Sequence, residues 1–388
     1  MKQISLLLIS IALVFSACKK DDDEVTTPLS TIEVSDDITS NTTWSSDHIY
    51  LVINNIDIRN SATLTIEAGT IVKFKKDVEI NIGYTDFGTI KAIGTAEKPI
   101  LFTSNESTKS KGDWNGLWLY DGANGCEFAY CTFEYGGGYS NTQGVLNMRY
   151  DTEVPVNHCN FRYSDGYAIE LRNDAKFVTF SYNTFSNNTN YDIKIPANSV
   201  YTLGTNNIYS SQIWVEGDYI DKIGDVRWLD QGTNFIIDGD INVGSATGTK
   251  LIIEPGCVLS FNQDAELGIS GAYGTVGVLE AIGTQELPIL FTSASLYPNK
   301  GDWDGIWFYT EIGPNSILDY CNISYGGSGS YSGNIVFKYE ISNKVSVTNC
   351  NISNSQGYGL YHQSTSDATT PILSNNTYAN NELGDKNF

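Results

Sequence analysis

The stretch KAIGTAEKPILFTS (Lys91–Ser104) decides the fold, because a closely related stretch, EAIGTQELPILFTS (Glu280–Ser293), returns 189 residues later. Two further motifs recur at almost the same offset: GDWNGLWLY (Gly112–Tyr120) as GDWDGIWFY (Gly301–Tyr309), and CTFEYGGG (Cys131–Gly138) as CNISYGGS (Cys321–Ser328). A duplication of long period indicates stacked repeats. The repeated material consists of short alternating segments and turns, so it predicts strands rather than helices.

Working outward from these motifs, the chain divides into successive lines of about 21–31 residues, each with two or three short strands between Gly, Asn and Asp turns. Examples are LTIE (Leu64–Glu67), IKAI (Ile90–Ile93) and LWLY (Leu117–Tyr120), in which apolar and polar residues alternate. Strands of this length are unstable alone, but stacked in register about 4.8 Å apart they bury a continuous apolar column. We therefore predict an all-β fold of stacked parallel coils.

This series of motifs resembles the right-handed parallel β-helix of the pectate-lyase-like superfamily, and more closely lipoproteins of the Bacteroidota that carry the same series. The resemblance covers about residues 45–388 and implies two tandem homologous units, 44–224 and 225–388. We expect 10–12 coils and a rod of roughly 50 Å. The units are predicted to stack continuously; the alternative is a hinge near Gly217–Gly224.

In-register stacking also predicts columns of like residues. Cys131 and Cys159 precede related tetrapeptides one coil apart, as do Cys321 and Cys350, and Asn183 recurs as Asn376. One interpretation is a disulfide in each repeat, Cys131–Cys159 and Cys321–Cys350. The interpretation that we favour is a column of reduced, buried thiols, because Cys126 and Cys257 have no counterpart in the other repeat and so indicate interior use of cysteine.

The N-terminus has the pattern of a lipoprotein leader. Residues 1–17 form a signal peptide with an apolar run that is too short to span a bilayer. Phe15–Cys18 resembles a bacterial lipobox, which implies lipidation of Cys18, and residues 18–43 are predicted to be a flexible acidic tether. Lys19–Glu24 resembles the signal that exports Bacteroidota lipoproteins to the surface, which implies an outer-membrane protein facing the cell exterior; the alternative is the periplasmic side.

The charge restricts the partners. The formal net charge of −22 repels nucleic acid and anionic headgroups. It would also repel polyuronates unless Ca²⁺ bridged the carboxylates, although no motif supports a Ca²⁺ site and we predict no cofactor. A glycan or a protein at the cell surface is the expected partner.

Catalytic signatures of related β-helix enzymes are missing from the sequence. The chain lacks Gly-His-Gly, Arg-Ile-Lys and Trp-Ile-Asp-His, and its three histidines, His48, His158 and His362, fall in different coils without metal-ligand spacing. We therefore favour a protein that is not an enzyme.

One outward face stands out in each repeat. Alternation turns Leu117 and Leu119 inward and leaves the neighbouring aromatic residues outward. Aromatic rings flanked by Arg, Glu and Asn suit sugar rings. The alternative is that the rings are a stabilising ladder, or are covered by turns such as Asn105–Lys111 and Ser295–Lys300. The candidate ligand-binding residues are Trp118, Tyr120, Asn147, Arg149, Glu170, Arg172, Trp307 and Tyr309.

Three functions follow from these observations. The first is a surface-anchored, non-enzymatic binding or adhesion module, with glycans as the expected ligands. The second is a carbohydrate-active enzyme on the same face, a lyase or glycoside hydrolase with Glu170 as acid or base and the arginines on a substrate carboxylate. The third is a structural spacer in the cell envelope.

Overall fold

Short parallel strands make up nearly all of the regular structure in the computed structural model, which describes residues 28–140, 143–272, 274–309, 312–329, 331–338, 345–363 and 370–388. The predicted signal peptide, Cys18 and Lys19–Glu24 lie outside the described residues. The strands form five parallel sheets, which we name A to E. The predicted all-β fold of stacked parallel coils is confirmed.

Sheets A and C belong to the first part of the chain. Sheet A contains β1 (Ser30–Val34), β3 (His48–Val52), β6 (Ile71–Phe74), β9 (Ile100–Ser104), β12 (Cys131–Glu134), β15 (Asn160–Arg162) and β18 (Thr184–Ser186). Sheet C contains β2 (Thr42–Trp44), β5 (Ala62–Ile66), β8 (Gly88–Ile93), β11 (Glu127–Ala129), β14 (Glu153–Asn157) and β17 (Lys176–Ser181).

Sheet B runs through both parts of the chain. It contains β4 (Ile56–Ile58), β7 (Glu79–Ile82), β10 (Gly116–Leu119), β13 (Gly144–Met148), β16 (Tyr167–Leu171), β19 (Ile193–Pro196), β20 (Ile213–Glu216), β23 (Phe235–Asp238), β26 (Val258–Phe261), β29 (Ile289–Ser293), β32 (Cys321–Ser324), β35 (Asn351–Ser353) and β38 (Thr377–Ala379). These thirteen strands exceed the predicted 10–12 coils and give a rod of roughly 58 Å at about 4.8 Å per strand.

Sheets D and E belong to the second part. Sheet D contains β21 (Tyr219–Ile220), β24 (Ile241–Val243), β27 (Glu266–Ile269), β30 (Gly305–Phe308), β33 (Gly333–Phe337), β36 (Tyr358–His362) and β39 (Gly384–Lys386). Sheet E contains β22 (Gly224–Trp228), β25 (Thr249–Ile253), β28 (Gly277–Ile282), β31 (Ser316–Asp319), β34 (Val345–Thr348) and β37 (Ile372–Ser374). A single 3₁₀ helix, Ala197–Thr202, lies between β19 and β20 in the described chain.

The solenoid begins earlier than the sequence indicated. β1 pairs with β3 along five residues, and β2 pairs with β5, although β1 and the first two residues of β2 fall within the tether predicted over residues 18–43. The polar composition of this segment misled the prediction, because strands on the outermost coil need few buried side chains. The predicted tether is therefore too long at its C-terminal end.

The junction between the predicted units is continuous along sheet B. β19 pairs with β20 and β20 with β23, so strand pairing crosses the region where the alternative placed a hinge. Corresponding motifs of the two repeats nevertheless lie on different sheets. The motif ILFTS forms β9 of sheet A in the first repeat and β29 of sheet B in the second. The motif GLWL forms β10 of sheet B, and its counterpart GIWF forms β30 of sheet D. The stretch from Tyr191 to about Asp225 has no counterpart in the second repeat. It does not complete a whole number of turns, so the motifs of the second repeat lie one sheet further around the rod.

The interior is a set of stacked like residues. Under sheet A, five rings stack with centroids 4.7–5.4 Å apart: Phe102, Phe133, Phe161, Phe185 and Tyr209. Such spacing follows from the separation of paired strands. Burial of these rings supplies much of the driving force that holds the coils together.

Interior asparagine side chains form hydrogen bonds with backbone groups at the turns. Asn183 accepts a hydrogen bond from the Cys159 N–H at 2.9 Å and donates to the Val156 carbonyl at 2.9 Å. Asn376 does the same for the Cys350 N–H at 2.9 Å and the Val347 carbonyl at 2.8 Å. These amides satisfy backbone groups that would otherwise be buried without partners.

All six described cysteines are buried free thiols. Cys126 accepts a hydrogen bond from the Ile90 N–H at 3.4 Å, and Ser316 of the second repeat accepts one from the Leu279 N–H at 3.2 Å. Desolvation raises the pKa of the Cys126 thiol to about 11. Cysteine at this position therefore acts as a small, buried hydrogen-bond acceptor.

Candidate functional site

The predicted outward face of the first repeat lies on sheet B. Strand register places Trp118 beside Asn147 and Asn147 beside Glu170, so the three form one column across β10, β13 and β16. Leu117 and Leu119 lie in the hydrophobic core, whereas Trp118 is outside it. The predicted alternation of this strand is therefore confirmed.

Trp118 is nevertheless covered. Only 5% of it is exposed, because Tyr139 packs edge-on against its ring at 5.5 Å and the Arg149 guanidinium lies over it at 4.8 Å. The cover comes from Tyr139 in the loop after β12 and from Arg149 after β13, not from the turn Asn105–Lys111. Gly137 gives this loop its path, with a φ of +79° and no room for a Cβ beside Ser164. Trp118 is thus the floor of a site rather than an open platform.

A pocket of about 310 Å³ opens above this floor. Its aromatic rim includes Tyr139, which is 63% exposed, and the ring of Tyr84 packs at a tilt against the rim residue Tyr120, with centroids 4.8 Å apart. The Trp118 indole N–H is buried and has no hydrogen-bond partner among the described residues. An unpartnered buried donor is costly unless water or a ligand satisfies it. The pocket is lined by Glu79, Trp118, Tyr120, Tyr139, Gln143, Arg149 and Tyr150.

Glu79 contributes a carboxylate that the sequence analysis missed. It lies on β7 opposite Gly116, the residue that begins the Trp118 strand. Burial raises the pKa of Glu79, opposed by a hydrogen bond from Asn115 at 3.4 Å. Burial together with the Glu79 charge raises the pKa of Tyr120 to about 12, so its hydroxyl remains a donor at neutral pH. Aligning the preceding coil on its strand would have revealed Glu79.

Asn147 and Glu170 are not accessible in the way that the sequence predicted. Asn147 is fully buried, accepting from the Gly144 N–H at 2.8 Å and donating to the Gly144 carbonyl at 2.7 Å. It therefore holds the start of β13 and offers no free polar atom to a ligand. The physical reason is that its amide bonds backbone groups of its own strand and the Leu117 carbonyl on the neighbouring coil.

Glu170 is enclosed by cations. Its carboxylate lies 2.6 Å from Arg172 Nε, 3.7 Å from an Arg149 terminal nitrogen and 3.9 Å from Lys194 Nζ. Burial raises the pKa of Glu170, and the hydrogen bond from Arg172 opposes that shift. Lys194 also pairs with Glu216 at 3.3 Å. Arg149 and Arg172 are therefore committed to a buried ion-pair cluster, which explains their position without a ligand.

The residues around Trp118 form a first cluster, and the residues around Trp307 on sheet D form a second cluster. The second cluster is closed by its own side chains. Trp307 is 5% exposed, and its indole N–H donates to the Asp304 carbonyl at 3.1 Å. Lys338 Nζ lies 4.8 Å from the Trp307 ring, 4.9 Å from Tyr309 and 5.0 Å from Tyr331. Three rings around one ammonium form an occupied aromatic cage.

Glu266, the counterpart of Glu79, is bonded within this second cluster. Tyr309 donates its hydroxyl hydrogen to Glu266 Oε1 at 2.8 Å. Burial, with smaller contributions from Asp240 and Asp304, raises the pKa of Glu266 to about 7. The hydrogen bond and Lys338 oppose that shift.

The first tryptophan of the Gly-Asp-Trp motif is a structural residue in both repeats. Trp114 and Trp303 are fully buried, and each stacks on a phenylalanine: Phe74 at 4.0 Å and Phe261 at 4.1 Å. Their indole N–H groups donate to the backbone carbonyls of Glu134 and Ser324. Both repeats thus use the first tryptophan of the Gly-Asp-Trp motif to anchor a corner.

Two general findings concern the described part of the chain only. No group of three or more His, Cys, Asp or Glu side chains there is arranged to hold a metal ion. No helix there has the length and apolar character required to cross a bilayer.

Residues 36–146 match the family model described as a pectate-lyase-like β-helix domain. The matched region includes Trp118, Tyr120 and most of the loop that covers Trp118. Together with the parallel solenoid, this match shows the predicted right-handed parallel β-helix fold. No curated protein and no solved structure matches the chain.

Proposed function

We propose that the protein is a non-enzymatic binding module that holds a neutral glycan at the first cluster, in the pocket above Trp118. The supporting observation is the combination of an aromatic pocket with a buried indole N–H that lacks a partner among the described residues. Sugar rings offer apolar faces to tyrosine rings and hydroxyl oxygens to such a donor.

The polar groups of the pocket favour a neutral ligand. Arg149 already donates to Gln143 at 2.8 Å and lies over Trp118, so its charge is engaged. Glu79 adds a carboxyl group rather than a positive charge. An anionic sugar would therefore enter a pocket without an unengaged cation, within a chain of net charge −22.

The closed second cluster supports a single site per chain. The indole N–H that has no partner among the described residues at Trp118 is bonded to the Asp304 carbonyl at Trp307. In the second cluster Tyr309 is also bonded to Glu266, and Lys338 lies between three rings. We expect calorimetric titration with a glycan identified on an array to give one binding site per chain.

A carbohydrate-active enzyme on this face has less support. Most glycoside hydrolases need two carboxyl groups flanking the scissile bond, and Glu79 is the one carboxylate that the structure describes in the pocket lining. Glu170, the predicted acid or base, is enclosed by Arg149, Arg172 and Lys194. Release of reducing ends or unsaturated products from a polysaccharide panel would favour the enzyme instead.

The test of binding uses the chain from residue 28 onward, which carries every described strand. Tyr139→Ala should abolish or weaken retention on the glycans that the unmodified chain binds. Tyr182→Ala is the matched control, because Tyr182 is also an exposed tyrosine but stacks on His158 away from the pocket. Binding that is indistinguishable from buffer across the array would leave the envelope spacer as the better proposal.

The anchor completes the proposal: lipidated Cys18 would tether the rod to the outer membrane, facing the cell exterior. Cys18→Ser should release the protein in soluble form. Alanine in place of Lys19–Asp23 should keep the anchor but remove protease accessibility on intact cells. Accessibility that persists in this variant would contradict the surface-export signal.

A further inference from the structure

A second pocket adjoins the pocket above Trp118, and Arg149 lines both of them. The second pocket has a volume of about 530 Å³, and its lining includes Lys194 of β19 and Glu216 of β20. It therefore lies further along sheet B, toward the second repeat. The function proposed above makes no use of it. We name it the distal pocket.

The outward column that contains Trp118 continues past the distal pocket to another tryptophan. Strand register places Glu170 beside Lys194 and Lys194 beside Trp214, so Trp214 of β20 lies in the same column as Trp118. Four strand steps separate the two tryptophans, which corresponds to about 19 Å along the rod. This face of sheet B thus has an aromatic side chain at each end.

Trp214 presents an aromatic surface outside the core. Its neighbours on the strand, Ile213 and Val215, lie in the hydrophobic core, whereas Trp214 is outside it and half-buried. Tyr191 packs against Trp214 at a tilt, with ring centroids 5.1 Å apart. Such rings suit the apolar faces of sugars, as the rings of the pocket above Trp118 do.

The charged side chains of the distal pocket are paired with carboxylates of the same chain. Arg172 Nε donates to Glu170 at 2.6 Å, and Lys194 Nζ donates to Glu216 at 3.3 Å. Arg149 also faces Glu170, at 3.7 Å. Because each of these cations already has a carboxylate partner, the pocket favours a neutral ligand over an anion.

Polar groups of the distal pocket are still available to a neutral ligand. Among the described contacts, the Arg172 side chain bonds through Nε and is 34% exposed, which leaves its terminal nitrogens as donors. Asp218 Oδ1 accepts from the Tyr219 N–H at 2.7 Å, which leaves Oδ2 as an acceptor. The exposed Asn173 amide offers both kinds of group. Sugar hydroxyls donate and accept hydrogen bonds, so they match this mixture.

The second repeat has no equivalent of this extended face. Lys194, Trp214 and Glu216 all lie in the stretch 191–225, which has no counterpart there. The extension therefore belongs to the repeat in which the indole N–H of Trp118 has no partner among the described residues.

We propose that the ligand is a neutral glycan chain of several sugar units, which runs along sheet B from the pocket above Trp118 through the distal pocket to Trp214. This inference rests on the proposed function, because one sugar occupies the pocket described there. The following units place hydroxyl groups against Arg172, Asn173 and Asp218, and a further unit packs on Trp214. A disaccharide is too short to contact both tryptophans across about 19 Å.

The test compares glycans of different length on the full chain. Calorimetry measures the affinity for the disaccharide and the hexasaccharide of four neutral series: cello-, manno-, xylo- and malto-oligosaccharides. In a series that binds, we expect the hexasaccharide to bind at least about tenfold more tightly than the disaccharide, because an aromatic anchor and the distal polar groups add contacts.

Two variants locate the added affinity. Trp214→Ala should lower the ratio of hexasaccharide to disaccharide affinity by about tenfold. Asn173→Gly should lower it by about threefold without straining the backbone, since Asn173 has a φ of +59°, which glycine adopts readily. Asn206→Gly is the matched control: Asn206 is also exposed, has a φ of +63° and lines neither pocket, so the ratio should not change. Tyr139→Ala should weaken binding of both lengths and keep the ratio.

The outcomes separate this inference from the function on which it rests. Equal affinities for the two lengths in the unmodified chain would overturn the extended face and keep the pocket above Trp118. A ratio that Trp214→Ala and Asn173→Gly leave unchanged, in variants whose melting curves show folded protein, would do the same. If Trp214→Ala does not fold, the ratio in Asn173→Gly decides. Absence of binding by either length in all four series would overturn the glycan function itself, and the extended face with it.

Discussion

The first cluster and the second cluster contain related residues but differ in how those residues are hydrogen-bonded. In the first, Trp118 has an unpartnered indole N–H beneath a pocket; in the second, Trp307 donates to the Asp304 carbonyl and Lys338 occupies the cage. Duplication has kept the strand, its aromatic pair and its depth of burial. It has not kept the unpartnered indole N–H, which the proposed glycan site uses.

A repeated motif fixes a backbone position but not the contacts that its side chains make. Those contacts depend on residues from neighbouring coils: Tyr139 and Glu79 in the first cluster, Tyr331 and Glu266 in the second. The two clusters also lie on different sheets, B and D, so they cannot form one continuous groove.

The largest expected effect tests the feature that the two clusters share, a buried tryptophan. Trp118→Ala and Trp307→Ala should each lower the free energy of unfolding by about 3–5 kcal/mol, because both rings are buried and their removal leaves a cavity. Urea denaturation of the chain from residue 28 onward measures this loss. A loss below about 1 kcal/mol at Trp118 alone would mean that its cover is open in solution.

The next largest expected effect is a pH dependence of stability that arises in the second cluster. Folding raises the pKa of Glu266 from 4.5 to about 7, so the folded state keeps a proton that the unfolded state loses between these values. The stability contributed by the protonated form is complete below pH 4.5 and is lost as pH rises to 7, by on the order of 3 kcal/mol at most. Glu266→Gln should remove this pH dependence.

Glu79→Gln is the matched control for that measurement. The pKa of Glu79 is also raised, so the sign of its effect is the same, but no tyrosine hydroxyl is bonded to it among the described contacts. The measurement is thermal melting from about pH 4.5 to 7.5. If stability falls with pH equally steeply in the wild-type and Glu266→Gln proteins, Glu266 is not the group that causes the pH dependence.

A smaller effect tests the difference in ligand access. Tyr139→Ala should weaken glycan binding by about 1–2 kcal/mol, since an aromatic side chain at the edge of a pocket is a typical anchor. Tyr331→Ala, its counterpart beside Trp307, should leave affinity and stoichiometry unchanged. Equal losses in the two variants, measured by calorimetry, would show that both clusters bind ligand.

The smallest effect concerns the cage itself. Lys338→Met removes an ammonium that contacts three rings and should cost about 0.5–1 kcal/mol of stability. Arg149→Met in the first cluster removes one such contact and also leaves Glu170 with one fewer cation. If Lys338→Met raises the stoichiometry of glycan binding to two, the lysine is what closes the second cluster.

Much of the fold could be predicted from the sequence for a simple physical reason. In a stacked coil, neighbours in space are residues one turn apart, so columns such as Phe133 over Phe161 and the bonds of Asn183 follow from spacing alone. The inward turn of Leu117 and the buried corner of Trp114 follow equally from alternation and turn position.

The candidate site was predictable only in part. Alternation placed Trp118 outside the core, but it could not show that Tyr139 covers the ring or that Asn147 bonds its own turn. These outcomes depend on how an irregular loop folds across a strand of another coil. Irregular loops have no period, so their contacts cannot be counted along the sequence.

The sequence by itself determined the coil, its interior columns and the duplication, because strand period and strand spacing are set by the backbone. Only the tertiary structure decided three things. It turned the second repeat by one sheet, left the Trp118 pocket open with an unpartnered donor, and closed the Trp307 cluster around Lys338. The first depends on the path of the irregular stretch after Tyr191. The other two depend on side chains that meet across coils at distances that sequence spacing does not fix.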